Sequence, residues 1–113
     1  MATIGHQYGS CIEACQDCEA ACRDCAAACE GMPAMGDCVR LCGQCAGASS
    51  ECVKEMNAAS AAVPEMCAVC ADICDRCAAE CERYDTEQCQ ECARACRRCA
   101  TECRGVAEGQ GSG

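Results

Sequence analysis

The segment CAVCADICDRCAAEC, residues 67–81, decides the fold, because its five cysteines recur at alternating steps of three and four residues. Alternating steps give a mean period of about 3.5, which places these cysteines on one face of an α-helix. A β-strand would show a period of two, and no part of the chain shows one. The intervening residues are mostly Ala, Asp, Glu and Arg, which a helix accepts on its outer face. The segment is therefore predicted to be a helix that carries a stripe of cysteines.

The same stripe recurs in three further blocks of the 113-residue chain, and together the four blocks contain all twenty cysteines. They predict four helices, at roughly 10–30, 36–57, 64–83 and 86–104, between a mobile N-terminus at 1–9 and a flexible tail at 105–113. Short connections between helices favour antiparallel neighbours. The predicted fold class is all-α: a single domain that forms an antiparallel up-and-down four-helix bundle with a cysteine-lined core.

Turn-forming residues mark the predicted helix boundaries. Gly31, Pro33 and Gly36 separate the first two cysteine blocks. Asp85 followed by Gln88 indicates a capping box that opens the fourth helix. Gly105 is predicted to end that helix, because Gly readily adopts the left-handed conformation found just beyond a helix C-terminus.

The predicted core can contain little besides the thiols. The chain has no Phe, no Trp, one Leu and two Tyr, so it nearly lacks the large side chains that each contribute roughly 1.5–3 kcal/mol on burial. Ala14, Ala21 and Ala28 flank the first stripe at intervals of seven residues, and such small flanks let helices approach closely. The cysteines are thus predicted to form the core, whatever other role they have.

Charge and hydropathy exclude several classes of function. A net charge of −9 argues against nucleic-acid binding, because phosphate contacts need an excess of Lys and Arg. No run of about 18 apolar residues is present, so no membrane span is predicted. The N-terminal residues MATIGHQYG (1–9) have no basic region followed by an apolar one, so no secretion signal is predicted. We therefore expect a cytoplasmic location, where thiols stay reduced.

Three classes of cysteine chemistry compete as interpretations. A disulfide scaffold would have irregular spacing and many loops, and cysteines one helical turn apart cannot crosslink within the helix without strain. A redox dithiol normally lies at one helix N-terminus, whereas Cys-x-x-Cys occurs here seven times within predicted helix interiors. The cysteine spacing of bacterial ferredoxins is absent. Metal–thiolate binding fits the continuous stripes best, and a thiol redox protein stays as the most distant alternative.

Soft metal ions suit these stripes. Thiolates favour Cu(I), with Zn(II) next, and cysteines three or four residues apart on a helix can hold one ion between them. Because each bound Cu(I) replaces one thiol proton, a fully loaded core stays neutral, whereas Zn(II) at several thiolates per ion leaves buried negative charge. We expect a non-enzymatic store for multiple Cu(I) ions, up to about one per cysteine. A metallothionein-like Zn(II) or Cd(II) buffer is the alternative.

Several longer strings carry a resemblance that goes beyond cysteine content. They are Cys11-Ile-Glu-Ala-Cys15, Cys38-Val-Arg-Leu, Cys67-Ala-Val-Cys-Ala-Asp-Ile-Cys74 and Cys89-Gln-Glu-Cys-Ala-Arg-Ala-Cys96. In these strings and their separations the chain resembles the bacterial copper storage proteins, and in particular their cytosolic branch, from Ser10 to about Arg104.

The resemblance implies a four-helix bundle that is filled with Cu(I), bound mainly by cysteine thiolates, and assembled as a homotetramer. The second cysteine block departs from the family pattern: Ser49 stands where relatives often have cysteine, and Cys42 and Cys52 are additions. The turn before the fourth predicted helix, residues 84–87, lacks the histidines that cytosolic relatives can have there.

The remaining candidates concern ligands and partners. Met32 and Met35, in the first turn, are candidates either for passing Cu(I) inward or for covering the end of a core that is short of large apolar groups. His6, the one histidine, is predicted to be a bystander. Expected partners are copper ions and a copper chaperone or small thiol as donor or acceptor, without nucleic acid or membrane. The candidate metal ligands are Cys11, Cys15, Cys18, Cys22, Cys25, Cys29, Cys38, Cys42, Cys45, Cys52, Cys67, Cys70, Cys74, Cys77, Cys81, Cys89, Cys92, Cys96, Cys99 and Cys103.

Overall fold

The structure is a computed structural model that describes residues 8–109. These residues form four long α-helices. The helices are α1 (Gly9–Cys29), α2 (Gly36–Ala58), α3 (Val63–Cys81) and α4 (Glu87–Ala107), with a short 3₁₀ turn at Pro33–Met35 between α1 and α2. No β-strand occurs between residues 8 and 109. The all-α prediction is confirmed. Most of the predicted mobile N-terminus and the end of the predicted tail, residues 1–7 and 110–113, lie outside the described residues.

The helices form a closed ring of antiparallel neighbours. Each helix packs against the next one in the chain, and α4 packs back against α1. The direction follows from the thiol contacts, since Cys25 near the end of α1 contacts Cys38 near the start of α2. Cys18, farther back in α1, contacts Cys45, farther along α2. The up-and-down four-helix bundle is therefore confirmed, and none of the helices in the described part of the chain has the length and hydropathy needed to cross a membrane.

Three arginines of α4 tie this helix to both of its neighbours. Arg98 pairs with Glu13 and Asp17 of α1. Arg97 and Arg104 both pair with Asp75 of α3. These side chains are about half exposed, so each pair contributes no more than ~1 kcal/mol. They help to set the helix order around the ring, while the buried stripes provide the packing.

The start of α4 differs from the predicted capping box. Thr86, and not Asp85, is the N-cap: its hydroxyl oxygen accepts a hydrogen bond of 3.3 Å from the backbone N–H of Cys89. Gln90, and not Gln88, reaches back, and its amide donates to the carbonyl oxygen of Tyr84 at 2.6 Å. The helix begins where it does because Cys89 must enter the buried stripe, which fixes the cap three residues earlier.

Replacing this cap provides a direct test of the boundary. We expect Thr86→Ala to lower the free energy of unfolding by about 1 kcal/mol, because the Cys89 N–H loses its partner. Asp85→Ala is the matched control and should change it by no more than ~0.5 kcal/mol. Urea unfolding of the reduced, metal-free protein, followed by circular dichroism, measures both values. Equal losses for the two variants would contradict the assignment of the cap.

The end of α4 also differs from the prediction, since Gly105 does not stop the helix. The helix continues to Ala107 because Val106, only 8% exposed, extends the buried stripe by one more position beyond Cys103. The left-handed residue is Gly109, with φ of 85°, and its N–H donates to the carbonyl oxygen of Val106 at 3.0 Å. Burial of one more apolar side chain thus outweighs the tendency of Gly105 to end the helix.

Candidate metal centre

The bundle core is made of thiols. All twenty cysteines are free and buried, with exposed fractions of 2% or less. Each stripe turns inward because the outer faces of the helices carry the charged residues, whose carboxylates and guanidinium groups stay in water. The structure therefore brings every cysteine that the sequence analysis singled out into one continuous cluster.

The thiols lie in five levels along the bundle axis, and each helix contributes one residue to each level. Close contacts define the levels: Cys18 Sγ lies 3.5 Å from Cys45 Sγ and 3.6 Å from Cys96 Sγ, for example. Cys29 follows beyond the last level, 3.9 Å from Cys89. From the α1 N-terminus onward, the levels are Cys11–Cys52–Cys67–Cys103, Cys15–Ser49–Cys70–Cys99, Cys18–Cys45–Cys74–Cys96, Cys22–Cys42–Cys77–Cys92 and Cys25–Cys38–Cys81–Cys89.

The sulfur separations match those needed by a bound soft metal ion. Contacts between helices run from 3.3 Å, for Cys52 and Cys67, to 3.9 Å, for Cys18 and Cys74. A metal–sulfur bond of about 2.3 Å places the sulfurs of a trigonal site ~4 Å apart. An ion can therefore enter such a group after shifts of a few tenths of an ångström, and the helices need not move apart.

Neighbouring sites share their ligands. Cys22, Cys42, Cys77 and Cys92 have sulfurs that all lie within 4.8 Å of one another. Cys42 and Cys92 also belong to a second group of this kind with Cys25 and Cys81. A thiolate that belongs to two groups can bridge two metal ions, so the arrangement favours a polynuclear cluster over isolated sites.

The five levels and Cys29 form a column along the bundle axis, and Ser49 is the one hydroxyl in it among residues 8–109. It is fully buried, and its Oγ lies 3.9 Å from Cys70 Sγ in the second level. A serine hydroxyl does not ionise near neutral pH and is a harder ligand than a thiolate. Ser49 lies four residues after Cys45 and three before Cys52, which is a stripe position, so the second level has three thiols in place of four.

The two ends of the column differ in character. At the Met56 end, defined by Met56, Val63 and Val106, three apolar side chains with exposed fractions of 1%, 1% and 8% cover the first level. At the Met35 end, defined by Cys29, Met32 and Met35, the thioether of Met35 is buried, whereas Met32 is 51% exposed. A cleft of about 340 Å³ between α1 and α2 is lined by Cys29 and Met32 at this end.

The methionine pair predicted from the sequence therefore separates into two roles. Met35 packs against the core, as the covering interpretation expected, while Met32 stands in solvent beside the outermost thiol. Sequence spacing could not distinguish the two, because the 3₁₀ turn at Pro33–Met35 decides which thioether faces inward. His6 lies outside the described residues.

Burial favours the protonated form of the thiols near the Met35 end of the metal-free core. Desolvation raises the pKa of Cys29 to about 11 and the pKa of Cys38 to about 12. Burial likewise raises the pKa of Cys25, since a lone thiolate in this low-dielectric core has no countercharge. Each metal ion that binds must therefore displace protons.

One feature was missed by the sequence analysis. A groove of about 310 Å³ runs along the contact between α1 and α2, and its lining includes the core residues Cys22 and Cys42. The sequence signal for it is the pair of small residues Gly43 and Ala46 on α2, which leaves this part of the helix surface without bulky side chains.

Comparisons with solved structures agree with this geometry. Apo copper storage protein 3 from Bacillus subtilis is 43% identical with a TM-score of 0.83, and the alignment covers 88% of this chain and 97% of that one. The Cu(I)-bound copper storage protein BsCsp3 is 42% identical with a TM-score of 0.86, covering 89% and 98% of the two chains. A protein from Nitrosospira multiformis is 34% identical with a TM-score of 0.81, covering 91% and 96%.

The search of curated proteins finds no match. A family model described as copper storage protein matches residues 4–108, which is nearly the whole chain of 113 residues. Together with the bundle of buried thiols and the apo and Cu(I)-bound copper storage protein structures, this match shows that the chain belongs to the copper storage protein family.

Proposed function

We propose that this protein stores Cu(I) by binding many ions to the thiolates of its twenty cysteines inside the four-helix bundle. The observation that carries the proposal is the continuous column of buried thiols, with sulfurs 3.3–3.9 Å apart across the helix interfaces. A non-catalytic role is part of the proposal, and it is supported by a column that consists of thiols apart from Ser49. The family assignment and the Cu(I)-bound relative support the choice of metal.

Charge balance favours Cu(I) over Zn(II) in this core. Each thiol that binds Cu(I) loses a proton and gains one positive charge, so the loaded column carries no net charge. The groups of four thiols would also suit tetrahedral Zn(II). However, four thiolates around one divalent ion leave two negative charges, and no described cationic side chain is buried to compensate them. The Zn(II) or Cd(II) buffer is therefore the weaker interpretation.

Proton release upon loading separates these two metals. We expect Cu(I) binding to release about one proton per ion until roughly 20 ions are bound, because one protonated thiol is consumed for each ion. The Zn(II) buffer would instead release several protons per ion and saturate at about five ions, one for each four cysteines. Anaerobic titration of the reduced protein in weak buffer, with a pH indicator, measures this ratio. Saturation after about five Cu(I) ions would contradict storage in the column.

Location, assembly and exchange partners are part of the proposal. Twenty free thiols persist only in a reducing compartment, which supports a cytoplasmic location. A homotetramer is supported by an apolar patch on α3, where Val69 is 46% exposed beside Met66, since such a patch is available for contact between subunits. A copper chaperone or a small thiol serves as donor and acceptor, because both can pass Cu(I) between sulfur ligands.

The exposed methionine provides a test of the uptake route. We expect Met32→Ala to slow Cu(I) uptake several-fold without changing capacity, because it removes a soft neutral ligand beside Cys29. Met35→Ala should mainly reduce stability, by roughly 2 kcal/mol or more, because it opens a cavity in the core. Stopped-flow mixing with a Cu(I)–chelator complex measures uptake, and thermal unfolding measures stability. Unchanged uptake in Met32→Ala would assign both methionines to packing alone.

A further inference from the structure

We propose that the groove between α1 and α2 is a lateral exchange port, through which a small thiol removes Cu(I) from the fourth level of the column. The inference rests on the proposed function. The groove is lined by Ala26, Val39, Gly43 and Ala46 together with the core residues Cys22 and Cys42, and its volume is about 310 Å³. It adjoins the cleft at Met32, with which it shares Glu30 and Val39, and it extends from there along α2 to Ala46. It therefore gives the fourth level of thiols an approach from solvent that the cleft, lined by Cys29, does not give.

The residues that line the groove around Cys22 and Cys42 are mostly small. Ala26 and Ala46 have no side chain beyond Cβ, and Gly43 has none at all. A Cβ added at Gly43 meets no atom within 4 Å, so this glycine faces open space. A small outward displacement of one helix is therefore enough to expose the sulfurs of Cys22 or Cys42.

These two cysteines are well placed for exchange because both are highly connected. Cys22 Sγ lies 3.6 Å from Cys92 Sγ and 3.7 Å from Cys96 Sγ. Cys42 Sγ lies 3.8 Å from both Cys77 and Cys92. When an ion leaves this level, an ion from the level above or below can take its place. One port can therefore release copper from several levels.

The occupant that fits is a zwitterionic monothiol of about tripeptide size. The volume is too small for a folded partner, and the lining includes one positive group, Arg23, which pairs with Glu19, and one negative group, Glu30. In the exchange, the sulfur of the incoming thiol forms a bond to Cu(I) and its proton passes to the cysteine sulfur that leaves the metal. Copper stays Cu(I) throughout, so no oxidant or reductant is needed.

Blocking the groove tests the port. Gly43→Leu places a side chain in the open space of the groove without replacing a metal ligand. Gly47→Leu is the matched control, because it lies one turn farther on the same helix, also faces open space and does not line the groove. Both variants are loaded anaerobically with Cu(I) and then mixed with excess reduced glutathione and a chromophoric Cu(I) chelator as the final trap.

We expect Gly43→Leu to release copper about fivefold more slowly than Gly47→Leu and wild type, which corresponds to ~1 kcal/mol in the barrier. Equal rates of copper release in Gly43→Leu and Gly47→Leu would overturn the proposed port. Slower release in Met32→Ala alone would overturn it as well. A change in subunit number in Gly43→Leu, measured by light scattering, would overturn it too, because the groove would then be a subunit contact. Capacity is read in the same samples: a wild type that binds only a few ions refutes storage itself, whatever the rates.

Discussion

Loading the reduced protein with Cu(I) is expected to raise its unfolding temperature by at least ~20 °C. The metal-free core is weak, because its large apolar side chains are few and the other buried positions carry thiols, alanines and one serine. Metal binding contributes directly to the stability of such a core. A ligand at a hundred times its Kd adds about 2.7 kcal/mol per site, and each kcal/mol raises the Tm of a domain of this size by roughly 4–8 °C.

Circular dichroism under anaerobic conditions measures both unfolding temperatures. Removal of copper by a strong chelator is the control, and it should return the protein to the lower value if the change comes from the metal. Equal unfolding temperatures for the loaded and metal-free forms would show that the metal is not a structural part of the core.

The second large effect is expected from replacing a central thiol. Cys96 Sγ lies within 3.6–3.9 Å of the sulfurs of Cys18, Cys22, Cys45 and Cys92. Cys96→Val adds one heavy atom to a buried side chain, so it should lower the stability of the metal-free protein by roughly 1–3 kcal/mol. Because bridging ligands are shared, the same substitution should remove several Cu(I) ions from the capacity. If Cys96 only packed the core, its replacement would change the stability and leave the Cu(I) capacity unchanged.

Cys29→Val is the matched control for this prediction. Cys29 lies beyond the five levels and has a contact of 3.9 Å with Cys89. Its loss should remove about one ion, since it is a terminal ligand. Metal content of each purified, fully loaded variant, measured by elemental analysis against protein concentration, gives the two values. A loss of one ion in both variants would show that the cysteines act as independent sites.

The sequence was sufficient to predict the helices and the inward face of each, because the cysteine period alone specifies both. Every cysteine that the stripes selected is buried in the core. Which cysteines share a level could not be predicted, since the axial offset between helices depends on the turns. The Pro33–Met35 turn, for example, sets Cys38 opposite Cys25.

The helix ends were the weakest part of the sequence analysis. Local signals favoured Asp85 as a cap and Gly105 as a stop, but both were overridden by burial of neighbours in the stripe, Cys89 in one case and Val106 in the other. The groove over Cys22 and Cys42 also escaped prediction, because it depends on how two small-residue surfaces meet and not on the pattern of either helix.

The most direct test of the central claim is an anaerobic titration of the fully reduced protein with Cu(I) in the presence of a chromophoric Cu(I) competitor. A thiol column that stores copper predicts that the competitor stays uncoloured until about one ion per cysteine has been added. Colour that develops after only a few ions, while Zn(II) binds tightly at about one ion per four thiolates, would contradict it.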